Sequence, residues 1–204
     1  MMRIDSVSAQ PDRAGRYRVT LSDGSILRLY RQTVQDFGIY SGQELTQEEY
    51  EKLQKAAAQM SAKMRAVRIV SATSVSKQDL QQRLIQKGED PAYARQAVSW
   101  MEEMHLLDDR RTAEQIVERC ISKGYGVARA KQALYEKRIP KAYWEEVLED
   151  YPEQEDAIRA YIDAHLPSQP DQKAVKKVID ALLRKGHSYG IIRRVLNSAD
   201  VLED

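Results

Sequence analysis

The sequence has little cysteine and no long apolar run. Its 204 residues include one cysteine, Cys120, which excludes an internal disulfide and is typical of a reducing compartment. No stretch of about 18 apolar residues occurs, and the N-terminus lacks the hydrophobic region of a signal peptide. We therefore expect a cytoplasmic protein without a membrane partner. Because Cys120 lies on an apolar helical face, we interpret it as a small core residue.

The residue constellations that support catalysis are also missing. His105, His165 and His187 are scattered near predicted helix ends and have no metal-ligand spacing, so we assign each a capping or surface role. Asp108 and Asp109 are adjacent, and adjacent helical residues do not face each other. We interpret them as a helix cap rather than a metal pair. The sequence predicts no catalytic activity, no cofactor and no metal.

Charge is segregated along the chain, although the net charge is only +1. Lys and Arg balance Asp and Glu in residues 1–60, exceed them by five in 61–138, fall short by seven in 139–172 and exceed them by three in 173–204. Two basic blocks therefore flank an acidic one. Most charge runs are solvated helix surface, but this pattern also suits a polyelectrolyte or a charged protein groove.

The N-terminal segment has the pattern of a small β element. Segments 16–21 and 25–30 alternate apolar and polar residues around Asp23-Gly24, which favours a hairpin, and residues 3–9 could add a third strand. Thr46 and Glu49 then form a capping box that opens a helix running toward Ile69.

An internal repeat organises the rest of the chain. Residues 123–134 match residues 185–196 at a shift of 62, which places Lys123-Gly124 on Lys185-Gly186. A shift of 50 in the other direction places Gly126 on Ser76, which we expect to cap its helix. A glycine-rich phosphate loop is the alternative for Gly124-Tyr125-Gly126, but no strand precedes it. We interpret Gly124 and Gly186 as structural corners between helices.

The predicted fold is mainly α, with three tandem three-helix repeats forming an elongated, curved stack behind a small N-terminal β-hairpin element. The hairpin and its helix are assigned to residues 1–60. The repeats are assigned to residues 61–109, 110–152 and 153–204, with a linker at 167–172.

Basic residues recur beside the same corner in the second and third repeats. Such a ridge suits attraction to an acidic surface or to phosphate, although ordinary solvation explains many exposed cations. Tyr125 and Tyr189 lie near the corners and either pack within the repeat or contact a partner. The candidate partner-binding residues are Arg119, Lys123, Tyr125, Arg129, Lys131, Lys185, Arg193 and Arg194.

This succession of motifs resembles the RecX family. The residues that carry the resemblance are LLDD (106–109), SKGYG (122–126), ARAKQAL (128–134) and KVIDALLRKG (177–186), and SGQELTQEEYEKL (41–53) resembles an extension found in Gram-positive members. His105 and Arg138 stand where the family often has glycine, so both corners are expected to differ locally.

The resemblance implies a regulatory protein rather than an enzyme. A RecX-like protein would bind the RecA nucleoprotein filament as a monomer and inhibit its recombinase, ATPase and co-protease activities, modulating recombinational DNA repair and the SOS response. Direct contact with single- or double-stranded DNA stays open. Two alternatives are a DNA-binding protein that acts without RecA and a helical-repeat adaptor for another protein.

Overall fold

A computed structural model describes residues 1–198. The chain divides into two compact units, Met1–Leu107 and Asp108–Asp204. Within the described range the buried apolar side chains form four cores, two in each unit. No helix in that range is long and apolar enough to cross a membrane.

The N-terminal element is a four-stranded antiparallel sheet in the order β3-β2-β1-β4. Its strands are β1 (Met2–Val7), β2 (Arg16–Leu21), β3 (Ile26–Tyr30) and β4 (Glu44–Leu45). The hairpin predicted around Asp23-Gly24 is confirmed, with Gly24 at φ +80°. The expected third strand is β1. Strand β4 was not predicted, because two residues are too few to show an alternating pattern.

Two helices follow β3, namely α1 (Arg31–Asp36) and α2 (Gln47–Ala72). The predicted capping box is confirmed, because the Glu49 amide donates to Thr46 Oγ1 and the Thr46 amide donates to the Glu49 carboxylate. Leu53 of α2 is buried in the sheet core, whereas Ala62 and Ala66 are buried in the next core. Residue 61, where the sequence-based division begins the first repeat, lies inside this continuous helix.

The second core of the first unit lies where the C-terminal half of α2 packs on α3 (Lys77–Gln86) and α4 (Pro91–Glu103). Ser76 is fully buried and accepts a hydrogen bond from the Asp79 amide, which confirms the predicted cap. Pro91 occupies the first turn of α4, where a missing backbone N–H costs nothing.

The second unit begins with α5 (Asp109–Ser122), α6 (Val127–Glu136), a 3₁₀ turn (Lys141–Tyr143) and α7 (Trp144–Leu148). Asp108 Oδ1 accepts from the amides of Arg110 and Arg111, so the predicted aspartate cap is confirmed. The buried side chains of this core are Ala113, Ile116, Val117, Cys120, Ala130, Leu134 and Ile139.

The final core is built by α8 (Glu155–His165), α9 (Gln172–Arg184) and α10 (Tyr189–Ser198). Helices α9 and α10 are the counterparts of α5 and α6 at the 62-residue shift, so the third helix of this core, α8, precedes the pair in sequence. Asp171 caps α9 by accepting from the Ala174 amide. Gln172, which the sequence analysis placed in a linker, therefore belongs to α9.

The predicted fold class, mainly helical with a small N-terminal β element, is confirmed. The two corners that lack the family's usual glycine keep a left-handed backbone, with φ +54° at His105 and +52° at Arg138. The two corners therefore differ from the family in residue type, but their backbone follows the path expected of a glycine corner.

Candidate partner-binding surface

Gly124 and Gly186 lie just beyond the C-termini of α5 and α9 with a left-handed backbone. Their φ angles are +64° and +90°. The Gly124 amide donates to the Ile121 carbonyl and the Gly186 amide donates to the Leu183 carbonyl, which closes each helix end. Glycine adopts this conformation without steric cost, so both positions suit a helix-terminating corner.

The two corners contact each other through their backbones. The Gly126 amide donates to the Lys185 carbonyl at 3.0 Å, and the Ala128 amide donates to the Gly186 carbonyl at 3.2 Å. A Cβ atom on Gly126 would lie 2.0 Å from the Gly186 oxygen. Amides that a phosphate loop would offer to a ligand are therefore bonded to protein carbonyls, which argues against that alternative.

His187 is buried beside this contact, with 4% of its surface exposed. Because the ring is buried, the surface role predicted for His187 is wrong. Burial lowers the pKa of His187, which favours the neutral imidazole. In contrast, His165 is exposed and its Nδ1 lies 2.9 Å from the Tyr161 carbonyl oxygen.

Helices α6 and α10 begin from this joined corner, and each carries an exposed stripe at four-residue spacing. The stripe on α6 is Val127, Lys131 and Tyr135, and the stripe on α10 is Tyr189, Arg193 and Asn197. Residues four apart on a helix lie on one face. Val127, Tyr135 and Asn197 were not among the predicted contact residues, although the 62-residue repeat relates every fourth position of α6 to one of α10.

Four of the candidate cations are exposed and form no ion pair with a residue in the range 1–198. They are Arg119, Lys123, Lys131 and Arg193. Lys131 and Arg193 occupy equivalent positions in α6 and α10. These four side chains are available to an external anion.

Two candidate arginines already contact carboxylates. Arg129 Nη1 lies 3.7 Å from a Glu136 oxygen. Arg194 Nη1 lies 2.7 Å from Glu153 and 2.9 Å from Glu155, and these bonds reinforce its positive charge by raising the Arg194 pKa. A partner would have to compete with these contacts.

Lys185 is half-buried among aromatic rings. Its Nζ lies 5.0 Å from the Tyr161 ring centre and 5.8 Å from that of Tyr125, within the range of cation–π attraction. Its carbonyl also accepts the Gly126 amide. The structure therefore gives Lys185 a packing role within the unit.

The two tyrosines near the corners differ in environment. Tyr125 packs against the α5–α7 core, and its carbonyl accepts the Tyr151 hydroxyl at 2.7 Å. Burial, with a smaller contribution from the charge of Cys120, raises the pKa of Tyr151 to about 12, so Tyr151 stays a donor. Tyr189 is 55% exposed and remains available to a partner.

Cys120 is buried in the same core, as predicted, and burial raises the pKa of its thiol. A buried thiol of raised pKa is a poor nucleophile. Across residues 1–198, no group of three or more His, Cys, Asp or Glu side chains is placed to hold a metal ion.

Sequence relatives identify the family. A model of the RecX second three-helix domain matches residues 108–148. The Regulatory protein RecX of Salmonella arizonae is 31% identical over 147 residues, an alignment that spans 64% of this chain and 87% of that protein. The chain belongs to the RecX family. The Regulatory protein RecX of Clostridioides difficile aligns over 95% of this chain and 94% of its own length at 24% identity.

Solved structures of the family share the fold. A crystal structure of regulatory protein RecX superposes with a TM-score of 0.65, covering 97% of this chain and all of that one at 20% identity. RecX from Lactobacillus salivarius superposes with a TM-score of 0.59 over 72% of this chain and 99% of that one at 19% identity. The resemblance inferred from the sequence motifs is confirmed, and the chain is a member of a family of regulatory proteins.

Proposed function

We propose that this protein binds the nucleoprotein filament of the bacterial recombinase RecA and inhibits its recombinase, ATPase and co-protease activities. The observation that carries the proposal is RecX family membership, with an alignment to a RecX protein over 95% of the chain. Such binding would modulate recombinational DNA repair and the SOS response in the cytoplasm. The protein would act by occupying the filament and not by a reaction of its own.

The proposed contact surface is formed by the exposed stripes of α6 and α10 with Arg119 and Lys123 at the C-terminal end of α5. Lys131 and Arg193 are its centre, because they are exposed, equivalent in the repeat and without a carboxylate partner in the described chain. Arg119 and Lys123 add positive charge one helical turn apart. Attraction to an acidic filament surface or to phosphate follows from this charge.

The size of the expected effect depends on how many charges change. An ion pair at an exposed site contributes about 0.2–1 kcal/mol, so a single alanine substitution should weaken binding less than tenfold. Replacing Lys131 and Arg193 with glutamate adds repulsion at two sites and should weaken binding far more.

The test measures the DNA-dependent ATP hydrolysis of RecA from the same organism while this protein is added at substoichiometric amounts. Hydrolysis should fall with the wild-type protein and recover with K131E/R193E. The matched control is K55E/K87E, which makes the same change in net charge at exposed lysines of the Met1–Leu107 unit and should inhibit like the wild type.

Two results would contradict the proposal. One is unchanged hydrolysis at a saturating concentration of the folded wild-type protein. The other is equal loss of inhibition in both double variants, which would show that net charge matters and the α6–α10 surface does not. Binding to naked DNA with no effect on RecA would favour a DNA-binding function instead.

A further inference from the structure

The outer face of the N-terminal sheet places two arginines directly opposite each other. Arg18 of β2 pairs in register with Arg28 of β3, and both side chains are exposed. Within residues 1–198 neither side chain forms an ion pair. Like charges directly opposite on antiparallel strands destabilise the pair. The arrangement becomes favourable when an anion lies between the two guanidinium groups.

A third arginine extends this positive face. Arg16 lies two residues before Arg18 on the same side of β2, which separates the two Cα atoms by about 6.6–6.8 Å. Arg16 Nη2 lies 2.8 Å from Asp12 Oδ2, and Arg16 Nε donates to the same oxygen at 3.0 Å. The carboxylate of Asp12 is therefore occupied by Arg16, and no other carboxylate within residues 1–198 forms an ion pair with Arg18 or Arg28.

The arginines line a shallow cavity of about 270 Å³ together with residue 8 and residues 10–12. The Ser8 hydroxyl accepts the Arg18 amide at 3.0 Å and donates to the Gln10 carbonyl at 3.0 Å, which holds the loop against β2. The walls of the cavity are therefore the paired strands β2 and β3 and the hydrogen-bonded loop at residues 8–12.

The chemistry of the arginine-lined cavity favours binding to successive phosphate groups of a polymer. A planar guanidinium fork matches two phosphate oxygens. Most of the lining is exposed, so the site would not enclose a small molecule. No aromatic ring lines the cavity, whereas proteins that grip single strands stack bases on aromatic side chains. Contacts to phosphate without base contacts suit a duplex and carry no sequence information.

We propose that the outer face of the N-terminal sheet binds the phosphate backbone of double-stranded nucleic acid through Arg18 and Arg28. This site is separate from the α6–α10 surface, and its test requires no RecA.

The test measures binding of the full-length protein to a fluorescently labelled DNA duplex by anisotropy over a range of salt concentrations. R18Q/R28Q should bind more weakly to duplexes of any sequence. The slope of log K against log salt concentration should fall by about one for each arginine lost. The matched control is K55Q/K87Q, which removes two exposed charges elsewhere in the Met1–Leu107 unit and should retain the wild-type slope.

A melting curve separates loss of the site from loss of the fold. Because R28Q removes the like-charge pair, its melting temperature at low salt should equal or exceed that of the wild type. Three results would overturn the inference: the same affinity and slope for wild type and R18Q/R28Q, tighter binding of single strands than of duplex, or competition by polyglutamate as effective as competition by duplex of equal charge.

Discussion

Replacing Gly126 with alanine tests the contact between the two corners of the second unit. The new Cβ would lie 2.0 Å from the Gly186 oxygen, 2.2 Å from the Gly186 carbonyl carbon and 2.4 Å from the His187 nitrogen. These are backbone atoms that cannot rotate away. Because Gly126 has φ −76°, which alanine adopts readily, any cost arises from space and not from backbone strain.

The expected loss of stability follows from the contacts that break when the two corners move apart. Moving the corners apart breaks the bonds from the Gly126 and Ala128 amides, each with a net contribution of about 1 kcal/mol. Overpacking of a tight contact typically costs a further 1–3 kcal/mol or so. We therefore expect G126A to lower the free energy of unfolding by about 3–5 kcal/mol, a large part of the roughly 5–15 kcal/mol typical of a folded protein.

Two other glycines provide matched controls for the same substitution. Gly88 has open space around its Cβ position but φ +89°, so G88A should cost about 1–2 kcal/mol from backbone strain alone. Gly190 lies in α10 with open space and no left-handed backbone, so G190A should stabilise the protein by about 0.5–1 kcal/mol. Space, strain and helix propensity are thus tested separately.

The assay is urea denaturation followed by circular dichroism on the four proteins under one buffer condition. The expected order of stability is G190A, wild type, G88A, G126A. A G126A protein as stable as G190A would refute the reasoning, because it would show that the corners do not approach as closely as the two hydrogen bonds require.

Two further predictions concern histidines. His105 has φ +54°, so H105G should raise the free energy of unfolding by about 0.5–1 kcal/mol in the same urea assay, and an unchanged or lower value would contradict strain at this corner. Burial lowers the pKa of His187, so below about pH 6.5 the unfolded state binds the proton more readily and stability falls as the pH falls. The melting temperature of H187L should therefore drop less between about pH 7.5 and pH 5.5 than that of the wild type, and an equal drop would show that His187 does not titrate differently on unfolding.

Local sequence signals predicted most elements because their causes lie within a few residues. The Thr46–Glu49 capping box, the Ser76 cap and the Asp23-Gly24 turn each satisfy backbone groups of their own segment. The signal fails where an element is very short, as in β4. It also fails where one helix crosses two cores, as α2 does, because its apolar faces then contact different neighbours.

The candidate partner surface was only partly predictable. The 62-residue repeat is visible in the sequence alone, and it was enough to identify the recurring cationic positions. The repeat could not separate Lys131 and Arg193, which have no carboxylate partner in the described chain, from Arg194, which has two. Glu153 and Glu155 lie about forty residues away in sequence, and only folding brings them to Arg194.

The sequence by itself determined the helical repeats, their caps, the left-handed corners and the family, because each is encoded in residue type and spacing along the chain. The tertiary structure alone decided the backbone contact between Gly126 and Gly186, the burial of His187 and the packing of Lys185 on two tyrosine rings. These features join segments from 24 to about 60 residues apart in the chain. Their energies depend on distances between atoms that no local pattern in the chain specifies.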